Sequence, residues 1–241
     1  MQEIYKIIPK TLEDTGYFEA CIVPNMRNNY YWSDDWSEEF YIDLAKLGFI
    51  STTYEIPNEG LILLPELQFA YAVLFFDDLH ISKKVKKLLK RDDYIFSFNS
   101  CFDEVLDRFE THHKDNWLKG EYRALLDRLY TREFENFKLI SVELKDKESG
   151  ELIAAEVGYV IGRTYTSLSG FCSKEKRYSN YGTLQLVLLA QHLQRDGFAF
   201  WNLGHPFMEY KKCLGAKVLE REAFLQLWKK ETATARKKEI V

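Results

Sequence analysis

The spacing of apolar and polar residues divides the chain into three stretches, and the first predicts one helix and two strands. A serine-capped helix is predicted to begin at Ser37 and to end near Gly48. The apolar segment 60–76 is interrupted by Pro65, which favours two short buried strands over a single helix.

The middle stretch is predicted to be helical. A basic helix begins at Ser82, a second helix begins at Ser100, and a third runs from about Trp117 to Tyr130. In the second helix, Ser100 and Asp103 have the spacing of a capping box, and apolar side chains follow on one face.

From Lys138 the pattern changes to strands. The segments KLISVEL, ELIAAEVGYVI and TYTSLSGFC are separated by short turns and predict an antiparallel meander. A helix over about 179–195, a short strand at FAFWNLG, a helix opened by Pro206 and a last strand at KVLEREAFLQLW follow. This order resembles the connectivity of the GNAT-like (N-acyltransferase) core, and the resemblance implies a central sheet that splays where an ester or thioester substrate enters.

The predicted fold is therefore α+β, with a GNAT-like mixed sheet, flanking helices and a smaller N-terminal α/β lobe. The lobe is predicted to span residues 1–80. The GNAT-like catalytic domain, which includes the basic helix, is predicted to span residues 81–228. Residues 229–241 have few apolar side chains to bury and are predicted to be a disordered tail.

Composition favours a cytoplasmic protein, and we expect it to be a monomer. The 241 residues are 46% hydrophobic, which is enough to bury a core. The N-terminus lacks a basic segment followed by an apolar one, and no apolar run approaches the ~20 residues of a membrane helix, so no membrane contact is expected. The four cysteines lie far apart, which predicts neither a metal site nor a disulfide framework.

The basic helix stands out because the whole chain carries a net charge of -4. On a helical wheel, one face holds six cationic side chains: Lys83, Lys84, Lys86, Lys87, Lys90 and Arg91. No acidic residue is interleaved, so these charges repel one another unless an anion binds. The face is either simply solvated or, together with His80, binds a few phosphates of an RNA arm.

The sequence around this helix resembles a known family. The segment LHISKKVKKLLKRDDYIFSFNSCFDEVL, preceded by AVLF and followed by NWLKGEYRALLDRLY, is similar to the bacterial leucyl/phenylalanyl-tRNA-protein transferases. That family has a Leu-His-Ile-Ser-basic segment, a basic helix and then a tryptophan, here Trp117, that opens the next helix. The likeness extends more weakly over about residues 32–228.

The resemblance implies a cofactor-free enzyme that transfers an amino acid from charged tRNA to the N-terminal amine of an acceptor protein, which marks the acceptor for degradation as an N-degron. It also implies that the basic helix holds the acceptor arm of the tRNA. Trp117 either stacks on the terminal adenine or packs in the core. Because an aminoacyl-tRNA is already an activated ester, positioning and oxyanion stabilisation can supply most of the rate.

Two family carboxylates are replaced in this chain. The family strand Gly-Glu-Ser-Met-Phe corresponds here to Ser167, Leu168, Ser169, Gly170 and Phe171. We interpret the two serines as pocket-lining residues, Phe171 as the apolar wall and Gly170, in place of methionine, as a change in the size of the pocket. The family's Asp-x-Gln corresponds to WNLG, where Asn202 lies closest to the aspartate.

Three other polar residues are candidates for the site. Asn202 can orient the amine or donate to the oxyanion, or it can simply bond to local backbone. His205 can take the proton that the missing carboxylate would have taken. Glu156, among apolar residues of its strand, can pair with a basic acceptor N-terminus or lie on the surface.

Two alternative functions remain open. The first is a GNAT acyltransferase that uses acyl-CoA, although the turn SKEKRYSNYGTLQ lacks the glycine-rich phosphate cradle of such enzymes. The second is a tRNA-binding protein whose transferase site has decayed, with which the loss of both carboxylates is compatible. Salt-sensitive tRNA binding without transfer would distinguish it from the transferase.

Overall fold

The computed structural model describes residues 4–112, 117–234 and 236. Within this part of the chain the strands are β1 Tyr5–Lys6, β2 Tyr31–Trp32, β3 Ile50–Ile56, β4 Gly60–Glu66, β5 Ala70–Leu74, β6 Tyr94–Phe98, β7 Lys138–Asp146, β8 Leu152–Ile161, β9 Thr164–Cys172, β10 Phe200–Asn202 and β11 Lys217–Glu220. The helices are α1 Pro9–Glu13, α2 Thr15–Tyr17, α3 Glu38–Lys46, α4 Lys83–Leu88, α5 Phe102–His112, α6 Glu121–Thr131, α7 Tyr181–Arg195, α8 Glu209–Leu214 and α9 Arg221–Thr232.

A seven-stranded mixed sheet forms the centre, in the spatial order β11-β5-β10-β9-β8-β7-β6. Neighbouring strands are antiparallel except β9 and β10, which run parallel. The predicted meander is β7–β8–β9, and all ten residues of β8 are buried because both of its faces are covered. The prediction of an α+β fold with a GNAT-like mixed sheet and flanking helices is confirmed.

The two faces of this sheet pack against different helices. Apolar residues of α3, α5, α6 and α9 form the core on one face, and those of α4 and α7 form the core on the other. On the first face, the rings of Tyr71 and Phe224 stack with centroids 3.7 Å apart. The basic helix α4 therefore lies on the opposite side of the sheet from α3 and α9.

The predicted N-terminal lobe contributes directly to the main sheet. Strand β5, within residues 1–80, lies between β11 and β10. The rest of that segment forms the parallel β1–β2 pair and the antiparallel β3–β4 pair. Pro65 lies inside β4 rather than between two strands, so the predicted interruption is wrong.

The C-terminal boundaries also differ from the prediction. The segment predicted as one last strand is β11 followed by helix α9, because Phe224 and Trp228, four residues apart, are both buried on one helical face. Since α9 ends at Thr232, the predicted disordered tail is wrong for residues 229–232. Residues 235 and 237–241 of that tail lie outside the described residues.

Arg221, at the start of α9, joins three segments that are distant in sequence. Its side chain is 2% exposed, and its guanidinium group donates only to backbone carbonyl oxygens. Among them, the oxygen of Leu67 lies at 2.6 Å and that of Gln68 at 3.0 Å, both between β4 and β5, and that of Val23 at 3.1 Å. This arginine therefore ties α9 to the N-terminal segment and to β5.

We predict that Arg221→Met lowers the free energy of unfolding by more than about 3 kcal/mol, because several buried carbonyl oxygens lose their donor at ~1–3 kcal/mol each. Arg221→Lys should restore part of the loss, since an ammonium group can still donate to some of these oxygens. Urea unfolding of the three proteins measures the difference. Equal stability of wild type and Arg221→Met would contradict this role.

Candidate active site

The candidate site lies where β9 and β10 separate. The two strands pair over three residues only, with Asn202 opposite Thr166 as the last pair. Beyond this pair, β10 ends while β9 continues along β8 to Cys172. The backbone of β9 past Thr166 therefore borders a gap instead of another strand, which is the splay that the GNAT-like connectivity predicts.

Glu156 on β8 is a buried carboxylate at this gap, with 4% of the residue exposed. Its Oε1 accepts hydrogen bonds from the Tyr165 hydroxyl at 2.7 Å and from Ser167 Oγ at 3.0 Å. Ser167 Oγ also accepts a bond from Trp201 Nε1 at 2.8 Å. Burial raises the pKa of Glu156 to about 7, while these two hydrogen bonds and the charge of Lys211 act in the opposite direction.

Two glycines make room for this cluster. A Cβ on Gly158 would lie 2.4 Å from the Tyr165 hydroxyl oxygen, so only glycine lets that ring cross to Glu156. Gly170 is paired with Glu156 across β8 and β9, and a Cβ there would lie 3.2 Å from the Glu156 Cβ. A methionine at position 170 would therefore press on Glu156.

The pocket residues predicted on β9 are divided between the two faces of the sheet. The β8–β9 pairing shifts register at Val157, so Leu168 is an extra residue and the alternation of side chains reverses beyond it. Gly170 therefore lies beside Glu156, whereas Phe171 packs on the other face with its ring 6.1 Å from that of Phe109. The prediction that Phe171 walls the same pocket as Ser167 is wrong. Ser169 is half-buried and pairs with Val157, so it lies on the face opposite to Glu156, and the prediction that it lines the same pocket as Ser167 is also wrong.

His205 forms a second polar cluster on the loop after β10. Its Nε2 lies 3.1 Å from Oε1 of Glu66, a buried carboxylate that also accepts a bond from Asn29 Nδ2 at 2.6 Å. Burial, followed by the nearby charge of Glu66, raises the pKa of Tyr30 to about 12. The ring of His205 stacks on Phe207, which is 83% exposed. His205 Nδ1 is covered by neighbouring atoms and has no hydrogen-bond partner among the described residues.

Both polar atoms of the Asn202 side-chain amide form hydrogen bonds within the protein. Its Oδ1 accepts a bond from the Gly204 backbone N–H at 2.9 Å, and its Nδ2 donates to Thr166 Oγ1 at 3.4 Å. The residue is 1% exposed. Of its two predicted roles, the geometry favours the local one, in which Asn202 fixes the turn that leads from β10 to His205.

Trp117 lies outside both polar clusters. Its indole is edge-on to the ring of Tyr122 at 5.2 Å, and its backbone oxygen accepts a bond from Thr53 Oγ1 at 2.7 Å. It precedes helix α6, which begins at Glu121 rather than at the tryptophan. These contacts favour core packing, the second of its two predicted roles.

The basic helix α4 is six residues long, so Lys90 and Arg91 follow its end. Val85 and Leu88 bury its apolar side against the core that it shares with α7. Five lysines are exposed and form no ion pair with any described carboxylate: Lys83, Lys84, Lys86, Lys87 and Lys90. The outward cationic face is thus confirmed as a geometric feature for the lysines.

Arg91 and His80 extend this surface in two directions. Arg91 is 3.5 Å from Asp93, and with Lys84, Lys87 and Arg177 it lines a cleft of about 240 Å³ at the start of α7. His80 is exposed, and its backbone N–H donates to the Leu214 oxygen at the end of α8. The basic surface therefore runs from α7 to α8.

Sequence reasoning missed Glu66 and Lys211. Glu66 is a lone acid in an apolar strand, which is the available signal for a buried functional group. Lys211 is one of two adjacent lysines in EYKKCLG, and only the three-dimensional structure distinguishes the buried one from Lys212.

A mixed sheet with a single parallel pair, β9–β10, that splays beside buried acidic and basic groups is the GNAT-like architecture. The sequence profile of the leucyl/phenylalanyl-tRNA protein transferase family matches residues 73–229. The chain belongs to that family. In the part of the chain that is described, helices with both the length and the apolar character to cross a membrane are absent.

Individual relatives are distant. The leucyl/phenylalanyl-tRNA--protein transferase of Pseudomonas entomophila (strain L48) is 29% identical over 155 residues, which cover 63% of this chain and 64% of that protein. The protein of the same name from Flavobacterium johnsoniae is 24% identical over 188 residues, which cover 76% and 84%. The chain thus matches just under two thirds of the length of the Pseudomonas relatives. The crystal structure of FemX is 13% identical, with a TM-score of 0.48 over 90% of this chain and 78% of FemX.

We predict that Glu156→Gln changes how stability depends on pH. The pKa of Glu156 is about 7 in the folded protein, against an ordinary value of 4.5. The contribution of the protonated Glu156 side chain to the free energy of unfolding is therefore fully present below about pH 4.5, and it is lost as the pH rises through 7. The stability of the variant relative to wild type should rise by about 3 kcal/mol over this interval.

Urea unfolding at intervals between pH 4.5 and 8 provides the measurement, with Glu148→Gln on the exposed β7–β8 turn as control. A stability difference between Glu156→Gln and wild type that does not change with pH would contradict the assignment.

Proposed function

We propose that this protein transfers an amino acid from an aminoacyl-tRNA to the N-terminal α-amine of an acceptor protein, and that it does so as a monomer in the cytoplasm. The proposal rests on two features that occur together in a chain of this family. The lysine face of α4 forms no ion pair with a described carboxylate, and buried polar groups lie near the β9–β10 gap. The lysine face is suited to binding phosphates, and the buried polar groups are suited to binding an ester carbonyl and the amine that attacks it.

The proposed reaction needs little activation from the protein. The acceptor nitrogen attacks the ester carbonyl carbon, the new C–N bond forms, and the bond between that carbon and the ribose oxygen breaks. One proton leaves the nitrogen and one reaches the ribose oxygen, so the step balances without a co-reactant. An α-amine of pKa ~7.7–8.0 loses its proton at pH 7 for only about 1 kcal/mol.

His205 is the proposed proton carrier between these two atoms. Glu66 fixes the ring through Nε2, which leaves Nδ1 to accept the proton from the amine and return it to the ribose oxygen. Because Nδ1 is covered in this conformation, the side chains that cover it must shift when substrate binds. Phe207, exposed beside the ring, has the surface for stacking on a base at this step.

Glu156 is proposed to bind an ammonium group of a substrate in the gap. It is the buried carboxylate beside Ser167 and Gly170, and no described group hydrogen-bonds to its Oε2. A cation at Oε2 would lower the cost of burying the negative charge. This role stands in place of the glutamate that the family carries on the neighbouring strand.

We predict that changing Lys83, Lys86 and Lys87 to glutamate weakens tRNA binding by at least about tenfold and lowers its salt dependence, because fewer phosphate counterions are released. Lys46→Glu is the matched control, since Lys46 is exposed on α3 across the sheet. Binding is measured over a range of salt, and transfer is measured from pooled, labelled aminoacyl-tRNA to proteins with each N-terminal residue.

Label that wild type incorporates and the triple variant does not would support the proposal. Acyl transfer from acyl-CoA instead of tRNA would favour the first alternative function. Tight, salt-dependent tRNA binding without transfer from any charged tRNA would favour the second.

We predict that His205→Ala lowers kcat for transfer by about 100-fold or more while the Kd for tRNA changes little, because a general base contributes ~10²–10⁴-fold. Glu66→Gln should lower kcat less, since the amide can still hold the ring. Single-turnover transfer over a pH series separates the two variants. A His205→Ala enzyme with wild-type kcat would remove His205 from the mechanism.

A further inference from the structure

Lys211 on α8 is a buried cation between the two polar clusters. The residue is 4% exposed. Its Nζ donates hydrogen bonds to the backbone oxygen of Leu203 and, at 2.7 Å, to that of His205. It forms no ion pair with a described carboxylate, and Glu156 acts on it by longer-range attraction. The neighbouring Lys212, by contrast, has a side chain that is 60% exposed.

Burying this ammonium group is costly, and an apolar side chain would fill the same space without that cost. Burial lowers the pKa of Lys211 to about 8, and the charge of Glu156 opposes the change. The hydrogen bonds explain what the cation stabilises. The backbone from Leu203 to His205 separates from β9 here: the Gly204 oxygen accepts from the Ala72 N–H on β5, whereas the oxygens of Leu203 and His205 accept from Lys211 instead of a strand.

The same ammonium group also affects the other cluster. The positive charge of Lys211 favours the ionised form of Glu156. Two other titratable groups interact with Glu156. Tyr165 donates a hydrogen bond to it. The pKa of Tyr210 is raised to about 12 by burial and by the charge of Glu156. Of these groups, Lys211 carries the positive charge.

We propose that Lys211 is the positioning residue of the transfer site: its ammonium group fixes the His205 loop through two carbonyl oxygens and supplies the positive charge that faces Glu156. Lys211 touches neither substrate in this arrangement and acts through the two residues. The activity part of this proposal rests on the proposed transfer function, whereas the coupling between Lys211 and Glu156 does not.

The coupling is tested without activity by following the carboxyl carbon of Glu156 by NMR in protein labelled with ¹³C-glutamate, with Glu156→Gln to assign the signal. Lys211→Met should raise the pKa of Glu156 by about one unit or more, because a nearby opposite charge is lost. Lys211→Arg should keep the wild-type titration, since the guanidinium group retains the charge. Lys212→Met is the matched control and should also leave it unchanged.

The positioning role is tested in the transfer assay. Lys211→Met should lower kcat by about tenfold or more with little change in KM for aminoacyl-tRNA, because the reacting groups are misplaced while the tRNA surface is intact. The acid limb of its pH–rate profile should move to higher pH together with the Glu156 titration. Lys211→Arg should recover most of kcat, and Lys212→Met should behave as wild type.

Four outcomes decide the proposal. An unchanged Glu156 titration in Lys211→Met, or a transfer rate equal to that of Lys212→Met, would overturn it. If wild type transfers no amino acid but the titration shifts, the proposed function fails and the coupling stands. If Lys211→Met does not fold, Glu156→Gln gives the reciprocal test: the pKa of Lys211 must fall, and an unchanged value would overturn the proposal.

Discussion

The structure depends on the shortness of one strand pairing. Because β10 runs parallel to β9 for three residues and then turns away, the centre of an otherwise continuous sheet is left open on one side of β9. Asn202 fixes the turn by bonding to Gly204 and Thr166, and Lys211 binds the carbonyl oxygens beyond it. Both residues serve the same constraint, which is to end β10 without leaving its backbone groups unsatisfied.

The opening concentrates buried charge that the fold compensates in different ways. Glu156 is stabilised by two hydroxyl groups, Glu66 by two side-chain amides and by His205, and Lys211 by backbone oxygens. In a site of low dielectric, a buried charge that is only partly paired binds a substrate group of opposite charge more strongly than it would in water. The basic surface on α4 has a different role, since exposed lysines attract phosphate without recognising an amino acid.

Repetitive features of the fold were predictable from the sequence. The β7–β8–β9 meander and helices α5 and α7 were predicted because alternation and helical spacing act over many residues. The sequence pattern does not predict strands β3 and β6. It predicts α9 as a strand, because a short apolar segment fits both the helical and the strand periodicity.

The site was predictable in part only. Glu156 and His205 were candidates from the sequence, but their partners Tyr165 and Glu66 come from pairings that no local pattern encodes. Phe171 was placed on the wrong face because one extra residue in β9 reverses the alternation beyond it. The burial of Lys211 arises from the course of the loop after β10, which depends on the whole sheet.

The central claim is that the aminoacyl ester is bound in the β9–β10 gap, between Glu156 and His205. A structure of the protein with a stable amide analogue of aminoacyl-adenosine tests this claim most directly. We predict that the amino group of the analogue lies within hydrogen-bonding distance of the Glu156 carboxylate, and that the side chains covering His205 Nδ1 move to expose it. An analogue bound elsewhere, for example in the cleft between α4 and α7, with the gap unchanged, would contradict it.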